Sequence, residues 1–338
     1  MRRSLFILLL LVISASAVVA CGGIQSTTTT PTAVSTATTT FGHPSTSFQL
    51  TGLVSHPATF TLADLQAFPE VTVTVTAQPI GAHSFGGALL YSLVQQAGIV
   101  TVATRKNDIL RKVVLVTGTD GYSVGIALGE IMPRFANKQV ILAYEEDGKP
   151  LPQADGFTRL IVPGDAFAGR YVSNVAQVSV TSPGSIPTLR SSTPSNAFYL
   201  DGQVKHPAKY DLAALKALTA TQVTVQSAGE NGQLVSVTYS GVLLNDLLAQ
   251  ASVMPDSKKN GILRLGVVAT GSDGYSVLVV GGEFSPLFGN IRVLVAFSSN
   301  GQPLSTNGFA RLIVPGDQAM GRFVSNLTEL QVVALGSS

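Results

Sequence analysis

The residues best equipped for chemistry stand in a block that occurs twice. The stretch RLIVPGD at 159–165 returns at 311–317, and GRYVSN at 169–174 returns as GRFVSN at 321–326. Each copy brings two guanidiniums to the neighbourhood of a Pro-Gly turn: Arg159 and Arg170 around Gly164, Arg311 and Arg322 around Gly316. Forked N–H donors beside the free amides of a tight turn suit phosphate or another oxyanion. The same block also supports an internal role, with Asp165 and Asp317 capping the turn or bridging the arginines. The sequence leaves both readings open. A second repeated block, DGYS at 120–123 and 273–276, is ordinary turn chemistry after a β-run. It equally offers a carboxylate, a phenol and a hydroxyl to a pocket.

Other chemistries lack their residues. No Gly-rich dinucleotide fingerprint, Walker loop or nucleophile elbow is present. His56 and His206 each precede a proline at matched positions, which points to turns; His83 belongs to the first copy alone, and His43 lies in a polar tract with nothing nearby to make it a ligand. No His pair has helical metal spacing. The single cysteine, Cys21, excludes an intramolecular disulfide, a Cys-rich zinc site and an iron–sulfur cluster. No catalytic residue is assigned.

The elements that must position these side chains follow from the repeat. Four blocks recur at offsets of 150, 153, 152 and 152 residues, which makes the body two copies of one domain. The expected organisation is a signal peptide at 1–20, a Ser/Thr-rich tether at 21–47, a first domain at 48–181, a linker at 182–196 and a second domain at 197–335. Each copy opens with a short strand (48–54; 198–204). A short helix follows, capped by Thr61 or Asp211. Next comes a Val/Thr strand alternating at period two (71–77; 222–228). A second helix is expected at 88–98 or 242–252, and then the strand that runs into DGYS. Asp147-Gly148 and Asn300-Gly301 mark two-residue hairpins. Strands outnumber the short helices, so the class is α+β with mixed sheets.

At 45% hydrophobic and 12% charged residues the chain can build sizeable cores. Without Arg2 and Arg3, 19 basic side chains face 19 acidic ones, a balance with no footprint for nucleic acid. Two arginines, a short apolar run and Val18-Val19-Ala20-Cys21 read as a secretory signal with a lipobox-like end. The expectation is acylation of Cys21 and a lipid anchor on the extracytoplasmic face of a bacterial membrane, with the Ser/Thr tract as tether.

The ordered motifs carry a family resemblance. GLVSHPATFTLADL and GQVKHPAKYDLAAL, SFGGALLYSLV and TYSGVLLNDLL, DGYS twice, DGKPL and NGQPL, and RLIVPGD twice run in the same order in both copies. This resembles the molybdopterin-binding oxidoreductase domain of sulfite oxidases, assimilatory-type nitrate reductases and periplasmic methionine-sulfoxide reductase subunits. The resemblance implies a mixed-sheet α+β fold in each copy, molybdopterin as the family's cofactor, and a cysteine thiolate on molybdenum at a strand–loop junction. Here that position is Ala77 in copy one and Ser227 in copy two, and neither is a soft thiolate. The family's Trp before its helix is Phe85 or Tyr239, and its Lys-Trp near the last strand is Ser173-Asn174 or Ser325-Asn326. Arg159 and Arg311 match its Arg before Val-Pro-Gly.

The leading expectation is a binding or interaction module without molybdenum chemistry or cofactor. Its guest is a small anion, and its cofactor-type positions are Arg159, Gly164, Arg170, Ser227, Arg311, Gly316 and Arg322. The alternative is an active molybdopterin oxidoreductase performing oxygen-atom transfer. Ser227 would then be a hard oxygen ligand, and Arg311 and Arg322 would clamp the substrate. A third reading is a structural surface protein whose domains pack on each other or on a partner.

Overall fold

The computed structural model describes residues 43–184, 193–228, 233–304 and 308–336. The expected signal peptide, Cys21, most of the Ser/Thr tract and the middle of the expected linker lie outside the described residues. Copy one runs β1 (Phe48–Gly52), β2 (Ala58–Phe60), α1 (Leu62–Gln66), β3 (Glu70–Val75), β4 (His83–Leu89), α2 (Leu90–Gln96), β5 (Val113–Gly118), β6 (Ser123–Ala127), α3 (Leu128–Ile131), β7 (Ile141–Glu146), β8 (Lys149–Pro150), β9 (Arg159–Ile161) and β10 (Val175–Thr181). Copy two repeats the order as β11 (Ala197–Gly202), β12 (Ala208–Asp211), α4 (Leu212–Lys216), β13 (Thr221–Ala228), β14 (Leu234–Leu243), α5 (Leu244–Ala251), β15 (Leu265–Gly271), β16 (Ser276–Val280), α6 (Gly281–Phe284), β17 (Leu294–Ser299), β18 (Gln302–Pro303), β19 (Arg311–Ile313) and β20 (Leu327–Ala334).

Each copy builds two sheets. In copy one they are β2-β1-β10-β5-β6 and β3-β4-β7-β8, with β9 added on β7. Copy two has β12-β11-β20-β15-β16 and β13-β14-β17-β18, with β19 on β17. The pairs β1–β10 and β11–β20 are parallel and the other ladders antiparallel, so the sheets are mixed. The Val/Thr alternation places Val73 and Val75 inside and Thr72 and Thr74 outside. At both hairpins the two central residues have positive φ, 51° and 71° at Asp147-Gly148 and 48° and 77° at Asn300-Gly301, the geometry for which Asx-Gly is favoured.

Besides the short helices α3 and α6, which the sequence reading does not expect, the second helix of each copy departs from the expectation. The helices begin at Leu90 and Leu244, two residues later than expected, because each continues an unanticipated strand, β4 or β14. Glycines hide these strands, since glycine lowers strand propensity. The glycine is nonetheless required by close approach: a Cβ on Gly87 would sit 2.4 Å from the Leu142 carbonyl, and one on Gly241 2.2 Å from that of Val295.

The copies pack on each other through reciprocal contacts. The 3₁₀ turn Gly261–Arg264 of copy two lies on β6, and the matching turn Asp108–Arg111 of copy one lies on β16. Val113 and Ala127 from one side and Val268, Leu278, Val280, Val333 and Leu335 from the other form a small buried cluster between them. Its burial supplies the apolar drive for association.

Candidate functional site

The second arginine of each block is sealed inside the protein. Arg170 donates from Nε and Nη2 to Asp165 at 2.6 and 2.5 Å, and from Nη1 to Glu130 at 2.7 and 3.0 Å. Arg322 repeats this with Asp317 at 2.7 and 2.6 Å and with Glu283. Both arginines are fully buried. Each lies flat against the other copy: a Cβ on Gly282 would be 2.5 Å from Arg170 Cδ, and one on Gly129 2.5 Å from Arg322 Cδ. Burial alone would lower the guanidinium pKa, but the two carboxylates outweigh it and hold each arginine charged. With their forks filled by carboxylates, Arg170 and Arg322 present no donor to a ligand, and the clamp expected of Arg322 does not form.

The DGYS blocks close the same interface. Asp120 and Asp273 each accept the amide of the tyrosine two residues on, at 2.9 Å, which makes the turn. Tyr122 Oη donates to the Gly169 carbonyl at 2.6 Å and accepts from Asn260 Nδ2 of the other copy at 3.0 Å. Tyr275 donates to the Gly321 carbonyl and accepts from Asn107 Nδ2 at 3.0 Å. Burial raises both phenols. Asn174 and Asn326 take left-handed φ values of 52° and 51°, and their side-chain carbonyls hold the Ser45 and Ser195 amides that lead into each domain.

Beside these tyrosines open two matching clefts, each built from both copies. Cleft one, about 490 Å³, is lined by Asp120, Tyr122, Tyr171 and Ser173 of copy one and by Lys259 and Asn260 of copy two. His43, which the sequence leaves without a ligand-type neighbour, also lines it. Cleft two, about 380 Å³, is lined by Asp273, Tyr275, Arg311 and Phe323 of copy two and by Lys106 and Asn107 of copy one.

The first arginines of the blocks differ between the clefts. Arg159 turns to Asp155, with Nη1 3.5 Å from Oδ2, and stacks near Tyr171. Arg311 lies over Phe323, donates to Tyr239 Oη at 3.2 Å and lines cleft two. Among the described residues it has no carboxylate partner, and its buried Nε, like that of Arg159, has no acceptor. Burial lowers its pKa, as expected of a cation short of counter-charge. By the repeat offset the counterpart of Asp155 is the amide residue Asn307, which lies outside the described residues. Gly164 and Gly316 hold the Pro-Gly turns at φ 82° and 89°, with open space around them.

The position of the family's metal ligand offers no thiolate. Ala77 is fully buried, and the next residue, Gln78, is bonded through its backbone to Ala166 and Ala168 at 2.8 Å each. A methyl group closed in by chain gives molybdenum neither a donor atom nor access, so copy one does not fit the metal centre. In copy two the backbone of Ser227 pairs with Val235 on β14; its side chain lies outside the described residues. Serine there supplies an oxygen in place of sulfur.

The family comparison agrees with the repeat. The model of the oxidoreductase molybdopterin binding domain matches residues 36–185 and again 183–335. The chain therefore belongs to the oxidoreductase molybdopterin-binding domain family, in two tandem copies. It is similar to mitochondrial sulfite oxidase of Homo sapiens, 30% identical over 147 residues, covering 35% of this chain and 26% of that protein. Similarity to the Rattus norvegicus enzyme is 32% over 149 residues, covering 36% and 26%. The chain thus matches about a quarter of the length of these relatives. Among solved structures, the sulfane dehydrogenase SoxCD of Paracoccus pantotrophus aligns over 79% of this chain and 62% of its own, at 15% identity and a TM-score of 0.35.

Several residues that shape the site escape a sequence reading. Glu130 and Glu283 hold the sealed arginines, and Lys106 and Lys259 reach clefts of the opposite copy. The recurrence of Gly129-Glu130 as Gly282-Glu283, at the repeat offset of 153, was the available signal.

Proposed function

We propose that this chain is a lipid-anchored extracytoplasmic binding module of the molybdopterin-domain family, in which cleft two takes a small anion and no molybdenum chemistry occurs. The observation that carries the reading is Arg311. A half-buried guanidinium with no carboxylate partner among the described residues, lining a cleft with Lys106 against the single carboxylate of Asp273, is a site short of one negative charge. A small oxyanion or carboxylate supplies that charge and accepts the free N–H groups. The buried Ala77 supports the second half of the reading, since oxygen-atom transfer in this family requires a held metal. Acylation of Cys21 would place the body outside the cytoplasmic membrane, with the Ser/Thr tract as spacer.

The test is metal analysis and an anion titration on the full chain made in a host that synthesises the molybdenum cofactor. No stoichiometric molybdenum is expected, and binding of a small oxyanion such as sulfate should saturate. Stoichiometric molybdenum with reductase turnover that is lost in Ser227→Ala overturns the proposal in favour of the oxidoreductase. Fractionation of cells bearing Cys21→Ser tests the anchor: the variant should leave the membrane fraction.

A further inference from the structure

At the corner where β4 starts and the β7–β8 hairpin turns, three ligand-type side chains meet. His83 Nδ1 lies 2.9 Å from Asp147 Oδ2 and 3.1 Å from Glu146 Oε1. One donor atom from each residue falls within 4.8 Å of the others. The other ring nitrogen, Nε2, is 3.0 Å from the carbonyl oxygen of Ile80. A carbonyl can only accept, so Nε2 carries a proton. The Nδ1 position then faces two carboxylate oxygens, and a bare lone pair there would be repelled by both. A positive centre, proton or metal ion, belongs between them. Asp147 is oriented to share it, because its Oδ1 accepts the Ser84 amide at 2.9 Å and leaves Oδ2 turned to the histidine.

We infer that His83, Glu146 and Asp147 form a binding site for one divalent first-row transition cation, separate from both clefts. Two donors about 2.1 Å from a common ion, at angles of about 90–110°, are roughly 3.0–3.4 Å apart, close to the two spacings from His83 Nδ1. One imidazole and two carboxylates make a donor set suited to zinc. The hydrogen bond from the far ring nitrogen to a backbone carbonyl is the usual means of orienting such a ligand. The three side chains are only partly covered, so the ion has an entry path and water can complete its coordination. The site is a property of copy one alone. By strand register its counterparts in copy two are Val237, Ser299 and Asn300, which retain the hairpin and offer no anionic or imidazole ligand.

The experiment titrates Zn²⁺ into the full chain, stripped with chelator, against a chromophoric competitor. One saturable site is expected, with an affinity that falls at least tenfold in His83→Gln and in Glu146→Gln. The affinity should be unchanged in a His56→Gln/His206→Gln double variant. Co²⁺ loaded in place of Zn²⁺ should give a ligand-field absorption that His83→Gln removes. Circular dichroism with chelator present confirms that the variants fold, and should His83→Gln fail to fold, Glu146→Gln decides alone. Absence of saturable Zn²⁺ binding, which would leave a proton as the shared charge, or equal affinity in the wild type and in folded variants, overturns the inference.

Discussion

In the first repeat, Lys138 Nζ stands 3.4 Å from Glu130 and 3.6 Å from Asp165, beside the buried Arg170. In the second, the residue at that place is Ile291, and Arg322 alone faces Glu283 and Asp317. The fold of the two clusters is the same, and their charge is not. Two cations match two carboxylates in copy one, whereas copy two has one carboxylate in excess. The two glutamates respond accordingly, while burial raises Asp165 and Asp317 alike. Burial would raise Glu130, but Arg170 and Lys138 hold it below its ordinary value. Burial raises Glu283, and Arg322 does not cancel the effect, with Glu130 adding repulsion. The clefts differ in the opposite sense: Arg159 is matched by Asp155, while Arg311 lacks a carboxylate among the described residues. Duplication preserved the interior geometry and, among the described residues, left the guanidinium of Arg311 without a carboxylate, the difference on which the proposed anion site rests.

The largest expected effect comes from the buried arginines. Replacing Arg322 with Met strands two buried carboxylates and should cost about 3–5 kcal/mol in chemical denaturation. Arg170→Met should cost less, because Lys138 remains beside Glu130 and Asp165. Equal losses would break the proposed charge difference. The carboxylates sharpen the same contrast. Glu130→Gln should cost about 2–3 kcal/mol and Glu283→Gln under about 1 kcal/mol, since the second change removes surplus charge. The pH dependence has opposite signs. Glu283, raised in the fold above 4.5, binds its proton more readily folded than unfolded, so its contribution is lost as pH rises from 4.5 through the folded value. Glu130, lowered in the fold, contributes above 4.5 and loses that contribution as pH falls through its folded value. Denaturation measured across pH should therefore lose its decline above 4.5 in Glu283→Gln, and its acid-side fall should shrink in Glu130→Gln.

Close packing across the repeats gives smaller effects. Gly129→Ala and Gly282→Ala push a methyl into the opposite arginine, and each should lower stability by about 1–3 kcal/mol in the same denaturation assay. Tyr122→Phe and Tyr275→Phe each remove a donor to a glycine carbonyl and a bond across the copies. Each should cost about 1 kcal/mol by thermal unfolding, with little difference between them.

Much of this architecture was legible in the sequence because local chemistry agreed with it. The Val/Thr strands, the Asx-Gly hairpins and the Asp211 cap, which accepts the Ala214 amide at 2.8 Å, all form from short-range signals. The strands β4 and β14 were obscured by glycines whose reason is a neighbouring backbone, and no local pattern reports that. The arginine block was visible as a motif, yet its two arginines have separate fates. Arg170 and Arg322 turn inward to glutamates 40 and 39 residues away, while Arg311 faces a cleft completed by a lysine of the other repeat. Such partners are set by tertiary packing, within a copy for the glutamates and between copies for Lys106, which sequence spacing does not encode.

The most direct test of an anion site at Arg311 is a calorimetric titration of the full chain with sulfate, comparing Arg311→Met with Arg159→Met. One sulfate site is predicted, weakened at least tenfold by Arg311→Met and left unchanged by Arg159→Met. Equal affinity in the wild type and Arg311→Met, or equal losses in the two variants, would contradict it.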